Sequence, residues 1–68
     1  MTTLREIAKR AMRNHVRRQG ASVMPLRYLI VGNEVRISDP ETNGFTIWGW
    51  KSKKNVRLFF VSEYDPNA

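Results

Sequence analysis

Leu4, Ile7, Ala8, Ala11, Met12, His15 and Val16 recur at intervals of three and four residues. That is the period at which side chains share one face of an α-helix. Thr2 or Thr3 can cap its start, and Thr3 with Glu6 fits the capping box, in which a hydroxyl and a carboxylate satisfy free N–H groups of the first turn. Arg17 and Arg18 suit the negative end of the helix dipole, and Gly20 follows as a stop. The pattern predicts a helix over about residues 3–19. The small alanines of the apolar stripe allow close approach to a sheet.

Beyond Pro25, which bars further helix, the period changes to two. "LRYLIVGNEVRIS" reads as two strands, about 26–31 and 34–38, joined by Gly32-Asn33, a favoured two-residue hairpin loop. Closing the hairpin there pairs Ile30 with Val35 and Tyr28 with Ile37, with Leu26 on the same face. Arg27, Leu29 and Val31 then share the other face with Glu34, Arg36 and Ser38. "DPETNG" (39–44) is turn chemistry. Aromatic and β-branched residues mark a second hairpin over about 45–50 and 56–63, and "YDPNA" reads as a frayed tail. The expected fold is α+β: one N-terminal amphipathic helix packed on a four-stranded, mostly antiparallel sheet of two hairpins, in meander order, as a single domain over 1–68.

The second hairpin allows two registers. A four-residue loop, Lys51 to Lys54, pairs Ile47 with Leu58 and Phe45 with Phe60, and sets Trp48, Trp50, Arg57 and Phe59 on the face away from the helix. A five-residue loop gathers Trp48, Trp50, Leu58 and Phe60 instead. The first is preferred, because it separates a clean core set from the face that carries Arg57. In either register both faces hold large apolar groups, and one helix covers one face. The spare aromatics have three readings: a curled sheet that buries both tryptophans, a dimer or partner interface, or rings that stack on unpaired bases while lysines hold phosphates.

Composition sharpens this picture. The chain has 68 residues and no cysteine, so neither a disulfide nor a thiolate zinc site supports its small core. Stability then comes from the aromatics or from a partner, which makes a homodimer an open expectation. Twelve basic residues stand against six acidic ones, a net charge of +6. The excess is local: residues 1–20 hold Arg5, Lys9, Arg10, Arg13, Arg17 and Arg18 against Glu6 alone, whereas residues 21–68 hold six basic and five acidic side chains. Such a field favours polyanions or an acidic protein face, while the alternative is a solvated basic helix surface. No apolar run is long enough to span a membrane, and no signal-peptide pattern follows the first residues. A cytoplasmic protein is the expectation.

Catalytic and metal chemistry find little footing. His15 is the single histidine and falls on the apolar stripe, where a packed side chain is the simpler reading. No histidine pair exists to hold a metal, no pair of carboxylates is placed for acid–base work, and neither Gly32 nor Gly44 makes a phosphate loop. The expectation is a non-enzyme with no cofactor and no metal; the alternative is RNA cleavage by Arg, Lys, Tyr or His, as in small toxin nucleases that also set a helix on an antiparallel sheet. Its candidate binding residues are Arg5, Lys9, Arg10, Arg13, Arg17 and Arg18 on the helix, and Trp48, Trp50, Lys51, Lys53, Lys54 and Arg57 on the second hairpin. The helix stripe lacks repeated Asn or Gln for base reading, so a sequence-tolerant grip on DNA or RNA phosphates fits it best. The rival is an inhibitor or adaptor of the kind phages and mobile elements carry, which would block an acidic or nucleic-acid-processing complex.

Overall fold

The computed structural model describes residues 2–68. One helix, α1 (Leu4–Gln19), precedes four strands, β1 (Arg27–Val31), β2 (Glu34–Ser38), β3 (Phe45–Gly49) and β4 (Phe59–Tyr64). The strands form one antiparallel sheet in meander order, β1-β2-β3-β4. The helix lies on one face, chiefly over β2. The α+β architecture expected from the periodicity is therefore the one adopted.

Thr3 is the helix N-cap: its backbone is extended and its Oγ1 accepts the Glu6 N–H at 3.2 Å. Its hydroxyl in turn donates to Glu6 Oε1 at 3.3 Å. Such a cap is worth about 1 kcal/mol, because the first-turn N–H groups have no partner inside the helix. At the other end the Gly20 N–H donates to the Val16 carbonyl at 2.8 Å. Ile7, Ala8, Ala11 and His15 are the buried residues of the stripe. The two alanines keep the helix close to Val35 and Ile37, the buried residues of β2.

The first hairpin takes the expected register, with Val31 opposite Glu34, Ile30 opposite Val35 and Tyr28 opposite Ile37. Gly32 has φ of +60° while Asn33 keeps a negative φ, the pattern of a type II′ turn, whose first central position favours glycine. Asn33 then ties this turn to the next connection. Its carbonyl accepts the Trp50 N–H at 3.1 Å, and its Nδ2 donates to the Lys51 carbonyl at 2.9 Å.

The second hairpin departs from the preferred register. Gly49 pairs with Phe59 and Trp48 with Phe60, while Ile47 pairs with Ser62, Thr46 with Glu63 and Phe45 with Tyr64. Val61 is the extra residue of a β-bulge between these two runs. Trp48 and Trp50 thus face the helix, 8% and 3% exposed, and belong to the core. Phe45, Ile47, Gly49 and Phe59 take the outer face instead. These are the faces of the five-residue alternative, reached through a longer connection. Lys51–Asn55 forms a tight turn closed by the Asn55 N–H to the Ser52 carbonyl at 3.1 Å. Val56, Arg57 and Leu58 run outside the ladder, so β4 begins at Phe59 rather than near residue 56.

A buried hydrogen-bond relay explains why the tryptophans go inward. Trp48 Nε1–H donates to Thr46 Oγ1 at 2.8 Å, and Thr46 Oγ1 lies 2.9 Å from His15 Nδ1. An indole N–H only donates, so the Thr46 oxygen accepts from it and the Thr46 hydroxyl is free to donate to His15. The Thr46 oxygen has a second lone pair, so it bridges Trp48 and His15 with either ring tautomer. Burial lowers the His15 pKa below its ordinary 6.5, outweighing the attraction of Asp39, Asp65 and Glu63. Among the described residues no buried side-chain nitrogen or oxygen lacks a partner.

Two predictions follow from the core. Thr46→Val strands the Trp48 N–H and His15 Nδ1, so urea denaturation should report a loss of about 1–3 kcal/mol. An unchanged urea midpoint would refute the relay. The unfolded chain protonates His15 near 6.5, whereas the folded chain resists it. Between those two values the unfolded state binds more protons, so stability is full above pH 6.5 and declines as pH falls below it. Asp39 and Glu63, whose folded pKa values are lowered, add their own loss only below their ordinary 3.8 and 4.5. Chemical denaturation at pH 7 and pH 5 should show the decline in the wild type and not in His15→Gln.

Candidate functional site

The flank of α1 that turns toward the β4 side of the sheet carries Arg10, Arg13, Asn14 and Arg17 at helical spacing. Opposite them runs the unladdered segment Val56-Arg57-Leu58. The two walls enclose a cleft of about 520 Å³. Arg10 Nη1 donates to the Val56 carbonyl at 3.3 Å and fixes the two walls to each other. Asn14 and Arg17 continue into a shallower hollow of about 360 Å³, bordered by Arg18 and by the little of Trp48 that reaches the surface. On the other side, Arg57 and Leu58 also line a third hollow of about 380 Å³ with Lys51, Asn55 and Phe59. Among the described residues no carboxylate lines any of the three.

The candidate residues named from the sequence separate into groups. Arg10, Arg13, Arg17 and Arg57 converge on the cleft, and Lys51 joins Arg57 in the third hollow. Arg5 and Lys9 are exposed nearer the helix N-terminus, and Lys53 and Lys54 are exposed in the turn; they line none of the three hollows. Arg18 is engaged within the fold. Its Nη2 donates to Glu63 Oε2 at 2.8 Å, and its guanidinium sits 4.0 Å from the centre of the Phe60 ring. The hydrogen bond from Arg18, helped by Gln19, holds the Glu63 carboxylate below its ordinary range, and the same bond raises the Arg18 pKa. Trp48 and Trp50 are corrected from surface to core: neither offers a face for stacking.

Of three further residues at the site, Asn14 and Phe59 are legible in the sequence and Asn55 is not. Asn14, the one amide that the basic helix stripe offers for base reading, sits between Arg10 and Arg17 on the wall of the cleft. Asn55 closes the tight turn and lines the third hollow. Phe59 is 53% exposed, with its ring tip against Gly49; a Cβ on Gly49 would stand 2.6 Å from Phe59 Cζ. The glycine between the tryptophans is a point of close approach, and the pairing of a strand glycine with a cross-strand aromatic is the signal that finds it.

The remaining open surface is the outer face of the sheet. Leu29 is 61% exposed and Val31 68%, and Phe59 and Tyr64 lie on the same side. Arg36 covers part of it, with its guanidinium 4.2 Å from the centre of the Phe45 ring, and Phe45 stacks obliquely on Tyr64 at 6.1 Å. Among the described residues no group of His, Cys, Asp and Glu is placed to hold a metal, and no helix is long and apolar enough to cross a membrane.

Arg13 and Arg17 make no ion pair among the described residues. The double reversal Arg13→Glu/Arg17→Glu should therefore leave the circular dichroism spectrum intact and change stability by no more than about 0.5 kcal/mol. Loss of the folded spectrum would show that the cleft arginines hold the fold. Trp50→Ala should cost about 3–5 kcal/mol and abolish the folded spectrum of so small a domain. A folded Trp50→Ala variant would contradict the buried position. Comparison with protein-family models, curated proteins and solved structures finds no match for the chain.

Proposed function

We propose that the protein is a small, non-catalytic nucleic-acid-binding module of accessory or regulatory type that grips the phosphate backbone in the cleft between α1 and residues 56–58. The observation that carries this reading is the convergence of Arg10, Arg13, Arg17 and Arg57 on one concave surface with no carboxylate to neutralise them among the described residues. Guanidinium groups match phosphate oxygens with paired N–H donors and keep their charge at every working pH. Arginines on helix and connector can follow a polyanion over several phosphates. Binding rather than catalysis is favoured because, among the described residues, the cleft holds no imidazole or carboxylate to take a proton. His15, the chain's one histidine, is buried against Thr46.

The test is titration of labelled oligonucleotides, single- and double-stranded, at two or more salt concentrations. Phosphate contacts release counterions, so log affinity should fall linearly with log salt, by about 0.7 per contact on single strands and 0.9 on duplex. Reversing Arg13 and Arg17 removes two contacts, so the slope should become shallower by about 1.4 to 1.8 and affinity should drop on every sequence. Absence of binding at micromolar protein in low salt would remove the reading.

A second reading rests on the outer sheet face. Leu29, Val31 and Phe59 leave apolar surface that the helix does not cover, as in a protein-binding inhibitor or adaptor. Val31 lines neither the cleft nor the hollows beside it, so Val31→Glu should abolish protein binding without altering the salt slope on nucleic acid. The reversal at Arg13 and Arg17 should do the opposite.

A further inference from the structure

We propose that the hollow beside Phe59 receives an unpaired nucleobase, so that the ligand of the basic cleft is single-stranded rather than duplex nucleic acid. This inference rests on the cleft reading given above and adds the base to the phosphates. Arg57 is the link, since it lines both the cleft and the hollow, and neither lining includes a carboxylate among the described residues. The hollow encloses about 380 Å³, within the range of small-molecule sites, about 300–1,000 Å³.

Its chemistry is that of base capture. Phe59 supplies an aromatic ring, half exposed and steadied at its tip by the bare backbone of Gly49. Leu58 adds apolar wall, and Lys51 stands with Arg57 to meet the phosphates on either side. The Asn55 side chain offers a donor and an acceptor to a base edge; its amide makes no hydrogen bond among the described residues, while its backbone is fixed by Ser52. A paired base keeps its faces inside the duplex stack, so only a strand with free bases can use the ring. Base–aromatic stacking is tolerant of sequence, in keeping with a site that has a single amide for edge reading.

The decisive comparison uses the wild-type protein and two probes of equal charge: a thymidine strand of about twelve nucleotides and an abasic strand of the same length. The base-bearing strand should bind roughly tenfold more tightly. Phe59→Leu, which keeps apolar cover over Gly49 but removes the ring, should erase that preference and leave affinity for the abasic strand and for duplex unchanged. Equal affinity of the wild type for the two strands would overturn the base hollow while leaving the phosphate grip of the cleft standing. Failure of the wild type to bind either strand or duplex would overturn both. If Phe59→Leu loses its folded spectrum, the comparison of the two strands on the wild type still decides.

Discussion

The Thr46 hydroxyl is the point on which the rest of the structure turns. It accepts from Trp48 Nε1 and lies against His15 Nδ1, so one side chain joins the helix to β3 inside the core. A strand has a side-chain period of two, and fixing one residue inward fixes the whole strand. With Thr46 inside, Trp48 and Trp50 must follow, while Phe45, Ile47 and Gly49 must face out. The histidine belongs to the same constraint: burial beside Thr46 disfavours its charged form. Leaving any member unpaired in the dry interior costs more than its hydrogen bond contributes when made.

The bulge at Val61 adjusts this register where the helix ends. Without the extra residue, Thr46 would face Ser62, and Glu63 would point to the outer side of the sheet. With it, Glu63 pairs opposite Thr46 on the helix side and meets Arg18. Gln19 completes the join, its Nε2 donating to the carbonyls of Phe45 and Tyr64 at 3.1 and 3.0 Å and to Glu63 at 3.3 Å. The last turn of α1 is thereby tied to β3 and β4. The fold uses Arg18 for this purpose, on an exposed pair worth little by itself, and stacks it on Phe60. Arg13, Arg17 and Arg57 are left without ion pairs among the described residues.

Much of this was legible in the sequence, and the part that was not has a definite cause. The helix could be read because Thr3, Glu6 and the apolar stripe all give the same boundaries. Gly32-Asn33 fixed the first hairpin because a two-residue loop permits one register. The second hairpin carries large apolar groups at consecutive positions, Ile47 and Trp48 on β3 and Phe59, Phe60 and Val61 on β4, so alternation does not distinguish its faces. Loop length alone is left to set the register, and the connection is longer than any tight loop because Val56–Leu58 stays out of the ladder. The pointer that was present is polar: Thr46 two residues before Trp48, and a histidine on an otherwise apolar helix stripe. Two polar side chains at core positions signal each other, since each needs a partner once buried. Tyr28 makes the converse point. It lies on the helix face of the sheet as its pairing requires, yet remains half exposed, since α1 lies chiefly over β2.

The connection that defeated the register is also what builds the site. A two-residue turn after Trp50 would have continued the ladder and left no second wall for the helix arginines to face. Instead Asn33 holds the start of the connection at Trp50 and Lys51, Ser52 and Asn55 close its turn, and Arg10 holds Val56. Arg57 is carried to the same side as Arg13 and Arg17, against their mutual repulsion. Exposed like charges at neighbouring positions cost a few tenths of a kcal/mol each, and removing any one of them would relieve the fold. A polyanion relieves them all at once, and a ligand that binds only the folded chain raises its stability by mass action. On the proposed reading, gathering these cations opposes folding slightly in isolation, and a bound polyanion would offset that cost.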